Sequence, residues 1–286
     1  MTSQPGFIQV GALAEGFAPN SNILPATADL AGRDLRLQFS DGSSLALEFL
    51  AADTLRTTSG EHAYRASSVR DGIYFVDYCG GENGASSTSL VLDLRRGLAT
   101  SVTGTLPGER ETRVDAFTRV ERGDELTSVR ASFRHGVIAH GAAAAPTVDA
   151  TALHAPTTEL IGMRNLYIYS ETERYEHIYL NEHFYAWQCL EGAEQGLADV
   201  DRCHCFRIDE QLYLFVWREK VIPTLGVVMI DLARMKTDGK IIGYQGDSFD
   251  AVSNFPVGAQ AEVINITRYP QRLKVDGRGR RLGRES

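Results

Sequence analysis

A chain of 286 residues, 43% hydrophobic and 23% charged, is long enough for two domains with cores of their own, and its composition excludes the disordered and collagen-like classes. No run approaches the roughly 18 to 20 apolar residues that span a bilayer, and the opening MTSQPGFIQV lacks the basic start and apolar stretch of a secretion signal, so the expectation is a cytoplasmic protein with no membrane partner. Residues 271–286 hold six basic against two acidic residues, +4, which leaves −12 on the rest of a chain whose net charge is −8; an acidic body excludes nucleic acid as the main partner.

In chain order, residues 1–26 read as an N-terminal arm, because the first strand-like pattern begins only after them. TADLAGRDLRLQFSDGSSLALEFL (27–50) then aligns without a gap on TTELIGMRNLYIYSETERYEHIYL (157–180) at an offset of 130, with five of 24 positions identical, Gly32 with Gly162 and Leu30 with Leu160 among them. The later segments of each half repeat in the same order. GIYFVDY (72–78) corresponds to QLYLFVW (211–217), and SLVLDL (89–94) to VVMIDL (227–232), at offsets of 139 and 138.

The repeated segments are four to eight residues long, rich in β-branched and aromatic side chains, and separated by turn signals such as Ser-Asp-Gly-Ser at 40–43 and Thr-Asp-Gly at 237–239. No sustained 3.6-residue apolar period with caps interrupts them. Short strands joined by tight turns predict antiparallel meanders, and roughly seven or eight per half suffice to close a small up-and-down barrel. The expected fold is therefore all-β: two tandem antiparallel barrels from an internal duplication, with barrel domains over 27–145 and 157–270, a linker over 146–156, and a basic tail over 271–286 expected to be disordered.

Side-chain parity then separates the two interiors. Tyr175, His177 and Tyr179 align with Leu45, Leu47 and Phe49, and Asn165, Tyr167 and Tyr169 with Leu35, Leu37 and Phe39. The row that is wholly apolar in the first half should face its core, so the second barrel has a hydroxyl-lined interior where the first has a greasy one. On LYLFVWREK, Tyr213, Phe215, Trp217 and Glu219 form the inward row, because the alternative row of the first half contains Asp77. Trp187 adds a flat wall. An imidazole, a carboxylate and several phenols in one barrel make a set for proton transfer between aromatic faces. The expected catalytic residues are His177, Glu219 and Tyr175. The expected ligand-binding residues are Tyr167, Tyr169, Tyr179, Trp187, His204, Tyr213 and Trp217, although parity leaves the face of His204 open.

The triplet Cys203, His204, Cys205 lacks the spaced pairs of a structural zinc site, and nothing in the spacing selects a nucleophilic cysteine, so no metal site is expected. Walker, GxSxG and strand-GxGxxG-helix patterns are absent, so no cofactor is expected. His62, His135, His140 and His154 lie in polar or linker sequence and are expected in solvent.

The succession LIGMRNLYIYS, YEHIYLN, FYAWQCLEGAEQGLADVDRCHCFRI, LYLFVWREKVIPTLGVVMIDL, TDGKIIGY and SNFPVGA resembles the MoaF family, with LAGRDLRLQFSDGSSLALEF and YRASSVRDGIYFVDY matching its N-terminal domain. The resemblance implies two lipocalin-like, calycin-type barrels and a bacterial setting among monoamine-inducible operons; it transfers no catalytic residue. Two functions stay open: a cofactor-independent isomerase, lyase or cyclase acting on an aromatic or amine-derived metabolite, and a non-catalytic binder of the same ligand or accessory protein of a catabolic or cofactor pathway.

Overall fold

The computed structural model describes residues 6–18, 20–81, 84–140 and 152–269. The tail over 271–286 and most of the expected linker lie outside these residues.

A short helix, α1 (Val10–Phe17), precedes the first barrel. That barrel comprises β1 (Asp34–Phe39), β2 (Ser44–Phe49), β3 (Thr54–Thr57), β4 (Gly60–Arg70), β5 (Ile73–Gly80), β6 (Ser86–Asp93), β7 (Leu98–Thr105) and β8 (Arg130–His140), each antiparallel to the next and closed by β1 against β8. Between β7 and β8 lie α2 (Glu109–Thr112) and α3 (Ala116–Arg122). Asp115 caps α3 by accepting from the Thr118 amide at 2.9 Å, and Gly123, at φ 73°, ends it in the left-handed conformation that a Cβ disfavours.

The second half contributes β9 (Ala155–Pro156), β10 (Met163–Ile168), β11 (Arg174–Tyr179), β12 (Phe184–Glu191), β13 (Ala198–Asp209), β14 (Leu212–Arg218), β15 (Thr224–Asp231), β16 (Lys236–Tyr244) and β17 (Val252–Ile266). Strands β10 to β17 close into a second barrel because β10 pairs with β17 and β12 with β13, and β9 extends one end of β13.

The duplication extends to the hydrogen-bond ladder. Leu35 pairs with Leu47 and Leu37 with Leu45, while Asn165 pairs with His177 and Tyr167 with Tyr175, the same register 130 residues on. Gly32 donates to the Phe49 carbonyl at 2.7 Å and Gly162 to the Tyr179 carbonyl at 2.8 Å, both from a positive φ. Tyr74 donates to Asp29 at 3.2 Å, and its counterpart Tyr213 donates to Glu159 at 2.7 Å. Two copies of one barrel differ in what fills them.

The described residues form three apolar clusters. The first barrel is packed with Leu35, Leu37, Phe39, Leu47, Phe49, Leu55 and their neighbours. The second is lined by aromatic residues, and α1 joins its core through Val10, Leu13 and Phe17. A third core lies between the barrels, where Phe75, Val91 and Val102 meet Leu214, Val216, Leu225, Val227 and Met229. It is studded with buried polar pairs: Asp238 accepts from Ser67 at 2.5 Å, Arg70 grips Asp231, and Lys240 lies 3.6 Å from Asp77. Strands β14 and β15 are consequently buried along their whole length, one face in the barrel and one against its sister.

Candidate functional site

Parity along β11 puts Tyr175, His177 and Tyr179 inside the second barrel. On the opposite face of the strand Arg164 donates both arms of its guanidinium to Glu176, at 2.5 and 2.7 Å. Along β14, Tyr213, Phe215 and Trp217 also point inward. The Asp77 row of the first barrel is outward, as expected, yet it is buried in the third core rather than solvated. Trp217 can lie flat across β15 only because its neighbour there is Gly226; any Cβ at that position would penetrate the indole ring.

A small cavity remains in this interior. It is bordered by Tyr169, Tyr175, His177, Tyr185, Trp187, Trp217, Glu194, Glu219 and Ile241, and closed on one side by Leu13 and Phe17 of α1. Its free volume is about 30 Å³, room for little more than a single water molecule. His177 sits at the aromatic centre, with ring centroids at 4.8 Å from Tyr167, 5.0 Å from Tyr185 and 6.0 Å from Trp217. Its Nδ1 is buried without a hydrogen-bond partner among the described residues. Burial among apolar rings drives its pKa down to about 3, so the imidazole is neutral.

Three carboxyls border or approach the cavity. Trp217 Nε1 donates to Glu219 at 3.0 Å, and burial, reinforced by Asp201 and Glu194, raises Glu219 well above the carboxylate range. Tyr175 donates to Glu194 at 3.2 Å, and burial pushes Glu194 up to about 7. Trp187 Nε1 donates to Asp201 at 2.8 Å; burial raises Asp201 while Lys220 beside it works the other way. Burial also raises the Tyr175 phenol far above its ordinary value, which keeps it a donor.

Six of the ten expected site residues therefore meet at one cavity: Tyr169, Tyr175, His177, Trp187, Trp217 and Glu219. The other four do not border it. Tyr167 and Tyr179 bond each other at 2.7 Å deeper in the barrel, and Tyr213 is held by Glu159 as its sister Tyr74 is held by Asp29. His204 requires the firmest correction. It lies on the outer face of β13, its ring 4.5 Å from Phe133 of the first barrel and its Nε2 3.4 Å from Arg218. Its row is buried by the neighbouring barrel, so hydrophobic neighbours such as Phe206 could not mark it as interior.

His154 also departs from expectation. It is buried between the barrels, its Nδ1 2.8 Å from the Thr100 hydroxyl, which also contacts His135 at 2.9 Å. Glu194 and α1 carry no signal in the sequence that singles them out, whereas Tyr185 shares the row of Trp187 on β12, so the parity of that strand marks it. Glu194 lies in the turn EGAEQGL after β12, where no strand parity applies. The spacing of Val10, Leu13 and Phe17 is the one sign of α1, and the run is too short to stand out.

A barrel of eight antiparallel strands with a polar-and-aromatic interior, fused to a packed copy of itself, defines a duplicated lipocalin-like protein. Similarity to known proteins gives it a family. "MoaF N-terminal domain" matches residues 5–108 and "MoaF C-terminal domain" matches residues 154–267, and the chain belongs to the MoaF family. It is 50% identical over 277 residues to "Protein MoaF" of Klebsiella aerogenes, covering 95% of this chain and all of that protein. Among solved structures, a putative beta-lactamase from Burkholderia vietnamiensis matches 37% of this chain and 95% of its own at 10% identity and a TM-score of 0.32.

Proposed function

We propose that the second barrel binds a small aromatic or amine-derived molecule and moves a proton on it without a cofactor, as an isomerase, lyase or cyclase does. The observation that carries this reading is the convergence of His177, Glu194 and Glu219 on one aromatic-walled cavity. Glu194, brought to about 7 by burial, is the group best matched to exchanging a proton near neutral pH, and Tyr175 bonded to it is positioned to relay. Glu219 is a protonated donor. His177, at about 3, is too weak a base to lead and serves as a neutral hydrogen-bonding group at the aromatic centre. Buried carboxyls beside tryptophan and tyrosine faces favour a cationic guest over an anionic one. The second reading, a binder without turnover, draws on that weak His177 and on Glu194 and Glu219 each already being engaged by a side-chain donor.

Benzylammonium and benzoate, equal in shape and opposite in charge, test the binding part. The protein has two tryptophans, Trp187 and Trp217, and both border the cavity, so intrinsic fluorescence reports occupancy directly. Benzylammonium is expected to change that fluorescence saturably, with benzoate at least tenfold weaker. Failure of both, or equal response to both, removes the reading. Protein-dependent replacement of a carbon-bound hydrogen of the bound amine by deuterium in D2O, followed by NMR, separates the enzyme from the binder.

A further inference from the structure

We infer that α1 is a lid: the segment expected as an N-terminal arm supplies the outer wall of the second barrel's cavity through Leu13 and Phe17, and must lift from β16 and β17 for a guest to enter. The role of Phe17 as a ligand-contacting residue rests on the function proposed above; the opening motion does not.

Four observations point the same way. The cavity beneath the docked helix is far smaller than any aromatic guest, so occupation requires something to move. Closed β-strands are the costly thing to move, because every backbone group in them is paired. The helix is the cheap one: at eight residues it cannot hold itself in water, it has no side-chain cap at its N-terminus, and its buried face is three residues, Val10, Leu13 and Phe17. Its side-chain ties are few: a solvent-exposed bond from Gln9 to Asp247 at 2.8 Å, a long one from the Thr172 hydroxyl to the Gly16 carbonyl at 3.4 Å, and the Ile8 amide against Glu194 just before the helix.

The chain just after α1 is held differently, which gives the lid a fixed base. The Asn22 amide donates to the Tyr169 carbonyl at 2.8 Å, the Asn22 side chain to the Ile168 carbonyl at 2.9 Å, and the Leu24 amide to the buried Asp238 at 2.8 Å. Motion is thereby confined to the helix. Phe17 is the residue at its cavity end, its ring 4.8 Å from Tyr169 and 5.7 Å from Tyr175. Lifting α1 removes that ring from the wall and opens Tyr169, Tyr175 and both tryptophans behind it to solvent.

The fit of the helix also supplies the variant that opens it. Gly11 lies against β16's exit, and a Cβ there would collide with the Gln245 backbone carbonyl, which cannot yield as a flexible side chain would. Gly11→Val should therefore unseat α1 while leaving the barrel ladders untouched.

Two measurements on the full chain decide the matter. In the parent, hydrogen exchange of the amides of residues 10–17 is expected to run at least a hundredfold faster than that of β16, and exchange as slow as β16 overturns the lid. In Gly11→Val, acrylamide quenching of Trp187 and Trp217 is expected to rise at least threefold with the near-complete barrel signal retained in the far-ultraviolet; quenching equal to the parent's in a folded variant overturns it. If the valine variant does not fold, the exchange experiment decides alone. Neither readout needs a ligand, so a lid that opens over a barrel that binds neither probe counts against the proposed function and not against the lid. If both hold, Gly11→Val should speed the association of benzylammonium several-fold.

Discussion

Replacing His177 with leucine is expected to give a protein that folds at pH 8, exceeds the parent in stability at pH 5, and holds benzylammonium at least tenfold less tightly. The stability part follows from linkage. A folded-state value depressed to about 3, against an ordinary 6.5, keeps the buried imidazole neutral while the unfolded chain takes up the proton. The parent therefore loses stability as pH falls below 6.5, and the loss is complete only near 3. At pH 5 the difference is about 1.5 pH units, or ~2 kcal/mol. Leucine carries no such penalty and fits the precedent of Leu47, which occupies the same site in the sister barrel and is buried there. It also removes a buried nitrogen that has no partner among the described residues. Urea denaturation of parent and variant at pH 5 and pH 8 measures the crossing term, and titration with the probe measures the loss of function. A variant that binds benzylammonium as the parent does would make His177 a core filler and end its place in the site.

The success and the failure of reading this fold from sequence have the same cause. Alternation along a strand identifies two faces but not which neighbour covers each. Where the first barrel supplied an unambiguous apolar row, as Leu45, Leu47 and Phe49 do for Tyr175, His177 and Tyr179, the assignment transferred across the repeat and matched the ladder register. Strand β13 has no such reference, and its outer row is partly covered by the other barrel, so parity leaves the face of His204 open, and the inward pair is Cys203 and Cys205. Burial raises both thiols, Cys203 to about 12, which leaves them inert core groups. Glu194 and α1 are illegible for a different reason: Glu194 sits in the turn between β12 and β13, where strand parity does not apply, and α1 reaches the barrel by tertiary contact from outside the repeat, and local pattern carries no record of either. The cavity was legible as a composition, a histidine among phenols, and its boundary was not.

The same inter-barrel surface predicts the largest loss of stability from a residue remote from the cavity. Arg70, at the end of β4, reaches across to the end of β15 and binds Asp231 with both arms of its guanidinium, Nε to Oδ2 at 2.7 Å and Nη2 to Oδ1 at 2.8 Å. It also donates to the Glu210 carbonyl at 3.0 Å. Asp231 is only 1% exposed, so Arg70→Ala strands a carboxylate in the third core, with the Arg234 amide at 3.0 Å and a distant Arg234 guanidinium as its remaining support. Breaking one side of such a pair costs about 3–5 kcal/mol, most of it the desolvation of the abandoned charge rather than the worth of the bond. Removing the second charge as well should then restore much of the loss: Arg70→Ala with Asp231→Leu is expected to be considerably more stable than Arg70→Ala alone, and the double-mutant cycle should return a large coupling energy. Denaturation midpoints of the parent, Arg70→Ala, Asp231→Leu and the pair provide the comparison. A loss under ~1 kcal/mol for Arg70→Ala, well below the cost of an abandoned buried charge, would mean that water or Arg234 replaces the lost arm, and that the barrels are joined by their apolar contact alone.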